Sequence, residues 1–350
     1  SSAASDVYKR QHEEHVHAGA KATVLTAIMP NAKGYGRVIR RDSGEVLKIV
    51  EHKDATEAER EIREVNAGIY CFDAQALFSA LAKVTNDNAQ GEYYLPDVLS
   101  ILRDEGEKIW AVVADNYEST LGINSRNQLA VAERILRRRK AEELMADGVT
   151  IIDPQTTFID AEVRVGMDTV IYPFTFLEGV TVIGEDCCIG PHVRFQNMAV
   201  GDDVKAHYVY AHDADVESGT DLGQFNHIRP DSHIGAGVKI GNFVEVKNSE
   251  IGAGSKLPHL SYIGDCDMGA DVNMGCGTIT VNYDGKNKFR TVIGDRAFVG
   301  CNSNLVAPIT VGENSYVAAG STITRDVPEG ALSVARARQK EIEGWHDKRK

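Results

Sequence analysis

The stretch IRPDSHIGAGVKIGNFVEVKNS (228–249) sets an aliphatic side chain at Ile228, Ile234, Ile240 and Val246, one every six residues. A half-buried strand alternates with period two and a helix repeats at 3.6, so a period of six belongs to neither. Hexads are instead the mark of a parallel β-helix, in which each short strand turns one aliphatic side chain inward and three strands close a triangular coil. Working outward, the same spacing holds a separate run at Val165, Ile171, Leu177, Ile183, Ile189 and Phe195, and Leu222 leads into the first run. Ile251, Leu257 and Ile263 follow, and then Ile293, Val299, Leu305, Val311, Val317 and Ile323. Roughly nine coils of about 18 residues fit between 163 and 330, a prism near 45 Å long at about 4.8 Å per stacked strand. The ladder breaks at VNYDGKNKFRTV (281–292), where polar residues replace the inward position. A break in a solenoid is a loop, and loops carry function.

Upstream the pattern is different. VLKIVEH (46–52), AGIYCFD (67–73) and IWAVVAD (109–115) read as short strands, with helices expected over Thr56–Val65, Ala74–Val84 and Leu95–Glu105. That alternation is α/β. SRNQLAVAERILRRRKAEELM (125–145), free of Gly and Pro, predicts one long connecting helix, with a domain boundary near residue 150.

The 350 residues suit two domains, and 43% hydrophobic with 25% charged residues describes a globular chain. A formal net charge of -13 repels a phosphate backbone, which argues against nucleic acid as a partner. No run has the length of a membrane-spanning helix and Ser1–Ala20 lacks an apolar signal core, so a cytoplasmic protein with no membrane partner is expected. Cys71, Cys187, Cys188, Cys266, Cys276 and Cys301 show no CxxC spacing and read as reduced thiols. Arg229 and Lys247, eighteen residues apart, fall one coil apart and should stack on one face, where two cations clamp a phosphate.

Further motifs carry a resemblance. The 228–249 stretch with PHLSYIGD (258–265), GTITVNYDGKNK (277–288), LVAPITVG (305–312) and DVPEGALSVARARQ (326–339) resembles the acetyltransferase domain of the bacterial bifunctional N-acetylglucosamine-1-phosphate uridyltransferase / glucosamine-1-phosphate N-acetyltransferase family. The likeness extends upstream through GYGRV (34–38), VEHKDAT (50–56), EVNAGIY (64–70), GEYYLPDVLSIL (91–102) and LGIN (121–124). It implies a left-handed β-helix at 151–334 and a C-terminal tail at 335–350. Before these come a linker helix at 125–150, the C-terminal part of a Rossmann-like nucleotidyltransferase domain at 21–124, and a non-family or disordered start at 1–20.

The implied activity is acetyl-CoA-dependent N-acetylation of glucosamine-1-phosphate in UDP-N-acetylglucosamine biosynthesis by a homotrimer. Amine acylation needs a base near neutrality, and an imidazole suits it. The resemblance assigns that role to His259. It assigns the sugar phosphate to Arg229, Lys247, Tyr262, Asn273 and Lys288, and acetyl-CoA to Cys276, Asn282, Tyr283, Cys301, Ala319 and Arg336. At Cys276 and Cys301 the family commonly has Ala and Ser. A thiol relay would be the alternative to direct transfer, which the inert character of most buried cysteines favours. Gly36, Glu51, Asn66 and Asn124 align with positions that contact the uridine-diphosphate sugar, Asn124 also with a magnesium contact. The family's Gly-rich phosphate loop and magnesium aspartate have no match, so an incomplete metal site and loss of uridyl transfer are expected. A hexapeptide acyltransferase with another amine acceptor and a catalytically silent trimeric scaffold are the competing readings.

Overall fold

A computed structural model describes residues 2–88 and 90–346, and the chain divides into two compact units, 1–135 and 136–350. In the first unit five strands form one sheet in the order β3-β2-β4-β1-β5: β1 (Ala22–Ile28), β2 (Arg37–Arg40), β3 (Val46–Val50), β4 (Glu64–Phe72) and β5 (Ile109–Val113). β1 runs parallel to β5, and the pairs β1–β4, β2–β4 and β2–β3 are antiparallel. The apolar face of this sheet, with Val24, Val38 and Ile49, is closed by Val98, Leu99 and Leu102 of the helix Asp97–Asp104 and by Ala80 of the helix Ala74–Leu81.

A disordered start is replaced by the helix Ser2–Ala18, whose Gln11 amide is buried and donates to the carbonyls of Thr23 and Ile69 at 3.1 and 3.2 Å. The helix expected over 56–65 spans only Glu57–Arg60. Thr56 and Glu59 cap its start reciprocally. Its end is taken by Arg37, whose Nε and Nη2 donate to the Arg60 carbonyl at 3.3 and 3.2 Å, and the chain then enters β4.

The long helix is present as Arg126–Ala146, and the two units divide inside it rather than near residue 150. Ala141 and Leu144 are buried with the apolar side chains of the second unit. From Thr150 onward, strands of mostly two to four residues stack in parallel into sheets of nineteen and nine strands, forming the three faces of a prism. The hexad residues from Ile171 to Ile323 point inward and are at most 4% exposed. Each fully buried Ile or Leu contributes about 1.5–3 kcal/mol, and between coils hydroxyls such as Ser255, which donates to Gly269 O (2.9 Å) and accepts from Val272 N (3.0 Å), satisfy the turns.

The ladder lapses after Phe195 because the coils shorten. Ile189 pairs with Ala206 and Ala206 with Leu222, steps below eighteen that break the frame without breaking the stack. Met268, Met274 and Thr280 occupy inward positions that an aliphatic pattern overlooks. One coil is longer, Met274 pairing with Val299, because 282–290 is extruded as the expected loop.

Candidate acyl-transfer site

The site rests on two long strands, Lys239–Lys247 and Lys256–Gly264, that pass from one prism face to the next without interruption. They turn the corner at Phe243 (φ 61°) and Leu260 (φ 35°), in the left-handed region that side chains rarely enter. In earlier coils the same corner is an exposed aromatic ladder. Phe174, His192, Tyr208, Phe225 and Phe243 follow one another with ring centroids 4.9–5.5 Å apart. After Leu260 it continues as Gly277, Asn302 and Gly320, so the ridge drops away and leaves an open edge.

His259 lies immediately before that corner, exposed, and the register continues from it along the edge. His259 pairs with Asn242 in the coil before. In the coils after, Gly277 N donates to Leu260 O (2.8 Å), Asn302 N to Cys276 O (2.7 Å) and Gly320 N to Cys301 O (2.8 Å), and Arg336 Nη1 reaches Ala319 O (3.0 Å). His259, Cys276, Cys301, Ala319 and Arg336 therefore form one column. Four coil steps at about 4.8 Å each make it roughly 19 Å long. Among the described residues the His259 imidazole has no hydrogen-bond partner, and its carbonyl accepts from Ser261 Oγ at 2.8 Å.

The second group lies beyond the corner, at the far side of the next face. Arg229 and Lys247 stack as the coil spacing requires, with Ile228 opposite Val246 and Arg229 N donating to Val246 O at 2.8 Å. Arg229 Nη1 donates to Glu245 Oε1 at 2.8 Å. The next rung is Gly264, where an added Cβ would meet the Tyr262 phenol and the Asn282 amide. The Tyr262 ring thus leans over Gly264 toward Asn282, whose Nδ2 is 3.4 Å from Tyr262 Oη. Lys247 Nζ stands 3.9 Å from Asp265 Oδ2. Lys288 comes in from the extruded loop, and a hydrogen bond with the Lys247 side chain, then the Lys247 charge, lowers its pKa.

Asp265 sits at the centre of this group, 4% exposed, and was not singled out from sequence, where it reads as an ordinary turn residue. Burial alone would raise its pKa. Hydrogen bonds from Asn248 and Asn282, with the charges of Lys247 and Lys288, outweigh burial and hold the carboxyl below its usual range. Glu245 and Gly264 were likewise missed, and only the stacking of coils reveals them. Asn273 stands apart from the Asp265 group, on the His259 face between Lys256 and Phe298. Tyr283 is at the loop surface, its Oη donating to Gly285 O at 2.7 Å.

In the first unit, Gly36, Glu51 and Asn66 come together. Asn66 N donates to Gly36 O at 2.9 Å, and a Cβ on Gly36 would meet Glu51 Oε1 at 3.0 Å. Burial, then the nearby Asp54 and Asp97, raises the Glu51 pKa. Asn124 is exposed just before the long helix, its N–H bonded to Gln128 Oε1 at 2.7 Å. No group of three or more His, Cys, Asp or Glu side chains among the described residues is placed to hold a metal ion, and no step is assigned to magnesium. The cysteines are free thiols, and no helix among the described residues is long and apolar enough to cross a membrane.

A hexad-repeat prism with a cationic cluster on one face and an open column along one edge, joined to an α/β unit, defines a hexapeptide-repeat transferase. Residues 290–325 match the family model "Bacterial transferase hexapeptide (six repeats)", and residues 3–123 match "Nucleotidyl transferase", which takes most of the supposedly non-family start into that domain. The chain is 57% identical to the bifunctional protein GlmU of Geobacillus thermodenitrificans over 336 residues, 96% of this chain and 73% of that protein. It is 52% identical to the bifunctional protein GlmU of Clostridium beijerinckii over 341 residues, 97% of this chain and 74% of that protein. The chain belongs to the GlmU family. Among solved structures, LpxA, a UDP-N-acetylglucosamine acyltransferase from Bacteroides fragilis, matches at 18% identity and a TM-score of 0.30, covering 52% of this chain and 70% of that one.

Proposed function

We propose that this chain transfers the acetyl group of acetyl-CoA to the amine of glucosamine-1-phosphate, supplying N-acetylglucosamine-1-phosphate for UDP-N-acetylglucosamine synthesis. The observation that carries the reading is the pairing of an edge column ending in an unpartnered imidazole with a cluster in which Arg229, Lys247 and Lys288 gather around Asp265 and Asn282. The column suits a long thioester: small side chains at Gly277 and Gly320 leave room along it, and Arg336 at its far end meets the cofactor's anionic part. Three cations in the cluster suit a sugar phosphate.

In this reading the phosphate is clamped by Arg229, Lys247 and Lys288, Tyr262 bounds the sugar, and Asn282, beside Tyr262, meets the acetyl-CoA end of the same site. His259 takes the proton that the attacking amine sheds. The C–N bond forms at the thioester carbonyl, the C–S bond breaks, and the departing thiolate is protonated to free CoA. His259 lies before the corner at Leu260 and the phosphate cations lie at the far side of the following face, so one chain holds the two halves apart. A homotrimer, with the acceptor face of one copy meeting the edge column of the next, closes the site. The test is release of CoA from acetyl-CoA with an acceptor panel. Release dependent on glucosamine-1-phosphate supports the reading; release with another amine alone supports a different acceptor, and none with any amine supports a silent scaffold.

A further inference from the structure

Both oxygens of the buried Asp265 carboxylate are occupied by side-chain amides. Oδ1 accepts from Asn248 Nδ2 at 2.5 Å and Oδ2 from Asn282 Nδ2 at 2.5 Å, with Lys247 Nζ 3.9 Å from the same Oδ2. The main chain of Asp265 joins neighbouring coils: its N–H donates to Lys247 O and its carbonyl accepts from Thr291 N, both at 3.0 Å. Two residues on, Asp267 receives Arg290 Nε at 2.9 Å. Both ends of the 282–290 loop are therefore fastened to the segment 265–267, and Asp265 touches each.

An amide has one conformational ambiguity that a carboxylate partner removes. Asn282 presents its NH2 to Asp265, so its carbonyl oxygen is fixed on the opposite side. We infer that Asp265 is a positioning residue for acetyl transfer, which sets the orientation of the Asn282 amide and holds Lys247 and Lys288 side by side at the acceptor phosphate. The inference rests on the acceptor reading given above. Two ammonium groups repel at short range, and a buried carboxylate 3.9 Å from Lys247, whose charge Lys288 also feels, is the counter-charge that keeps them together. Its oxygens can do this only because neither is a donor.

Asp265→Asn tests this with little change of volume. The new NH2 faces either Asn248 or Asn282, donor against donor, and one amide must turn over or lose its partner. In the full chain, kcat/KM for glucosamine-1-phosphate should fall on the order of tenfold to a hundredfold. In an Asn282→Ala background the same substitution should cost markedly less, because the residue it orients is gone. Full additivity, or a kcat/KM within about twofold of the parent chain's, overturns the inference. The side-chain amide resonance of Asn282, assigned by its loss in Asn282→Ala, gives a readout without substrate and should shift in Asp265→Asn. If the parent chain fails to acetylate glucosamine-1-phosphate, the acceptor reading falls, and the amide signal still reports whether Asp265 orients Asn282. An unmoved signal with a fully active variant removes the inference and leaves the acceptor reading standing.

Discussion

The Tyr262 ring occupies the space above Gly264 that any side chain there would claim, with Oη 3.4 Å from Asn282 Nδ2. Arg229, Lys247 and Gly264 are successive rungs of one column, two cations and then a gap, and the gap is what admits the ring.

Gly264→Ala should therefore displace Tyr262. The overpacking costs about 1–3 kcal/mol, seen as a lower melting temperature. The KM for glucosamine-1-phosphate should rise while that for acetyl-CoA holds. Adding Tyr262→Ala should recover the melting temperature without recovering the KM. Unchanged kinetics in the single variant would detach Tyr262 from the acceptor.

His259→Ala should lower turnover by on the order of 10²–10⁴-fold, the range of general-base catalysis. Acetyl-CoA binding, followed by calorimetry, should hardly change. A normal rate would make His259 a structural residue at the corner.

Replacing Cys276 by Ala and Cys301 by Ser should keep activity within about tenfold, an allowance worth about 1.4 kcal/mol. The two thiols share the His259 column, one coil apart, so an acyl relay through them has a geometric opening. Capture of radiolabelled acetyl on either cysteine after quenching would show that the relay is used.

Light scattering should give a mass near three times 38.2 kDa. Mixed trimers of His259→Ala and Lys247→Ala chains, each inactive alone, should regain part of the activity, because one pocket would then draw its imidazole and its cations from different intact copies. A fully active monomer would refute the shared site.

The prism follows from the hexad spacing alone. Its inward positions are filled by a residue type, aliphatic, at a fixed interval, and a periodic apolar pattern has one economical burial. Ile228, Ile234, Ile240 and Val246 sit where the interval puts them, and Arg229 stacks on Lys247 for the same reason. The roles of His259 and Asn282 were legible only through resemblance, since a lone His or an Asn in a turn has no periodic signature. Tertiary structure alone decided the rest. The column from His259 to Arg336 depends on coil lengths, and these change between the step that pairs Lys256 with Asn273 and the longer one that pairs Met274 with Val299. Asp265 and Gly264 matter through what leans on them from other coils, and the helix expected to run to Val65 stops at Arg60 because Arg37, distant in sequence, takes its last carbonyl. Periodicity encodes which side of a strand faces the core; which residues meet across coils is set by accumulated register, and that exists only once the chain has stacked.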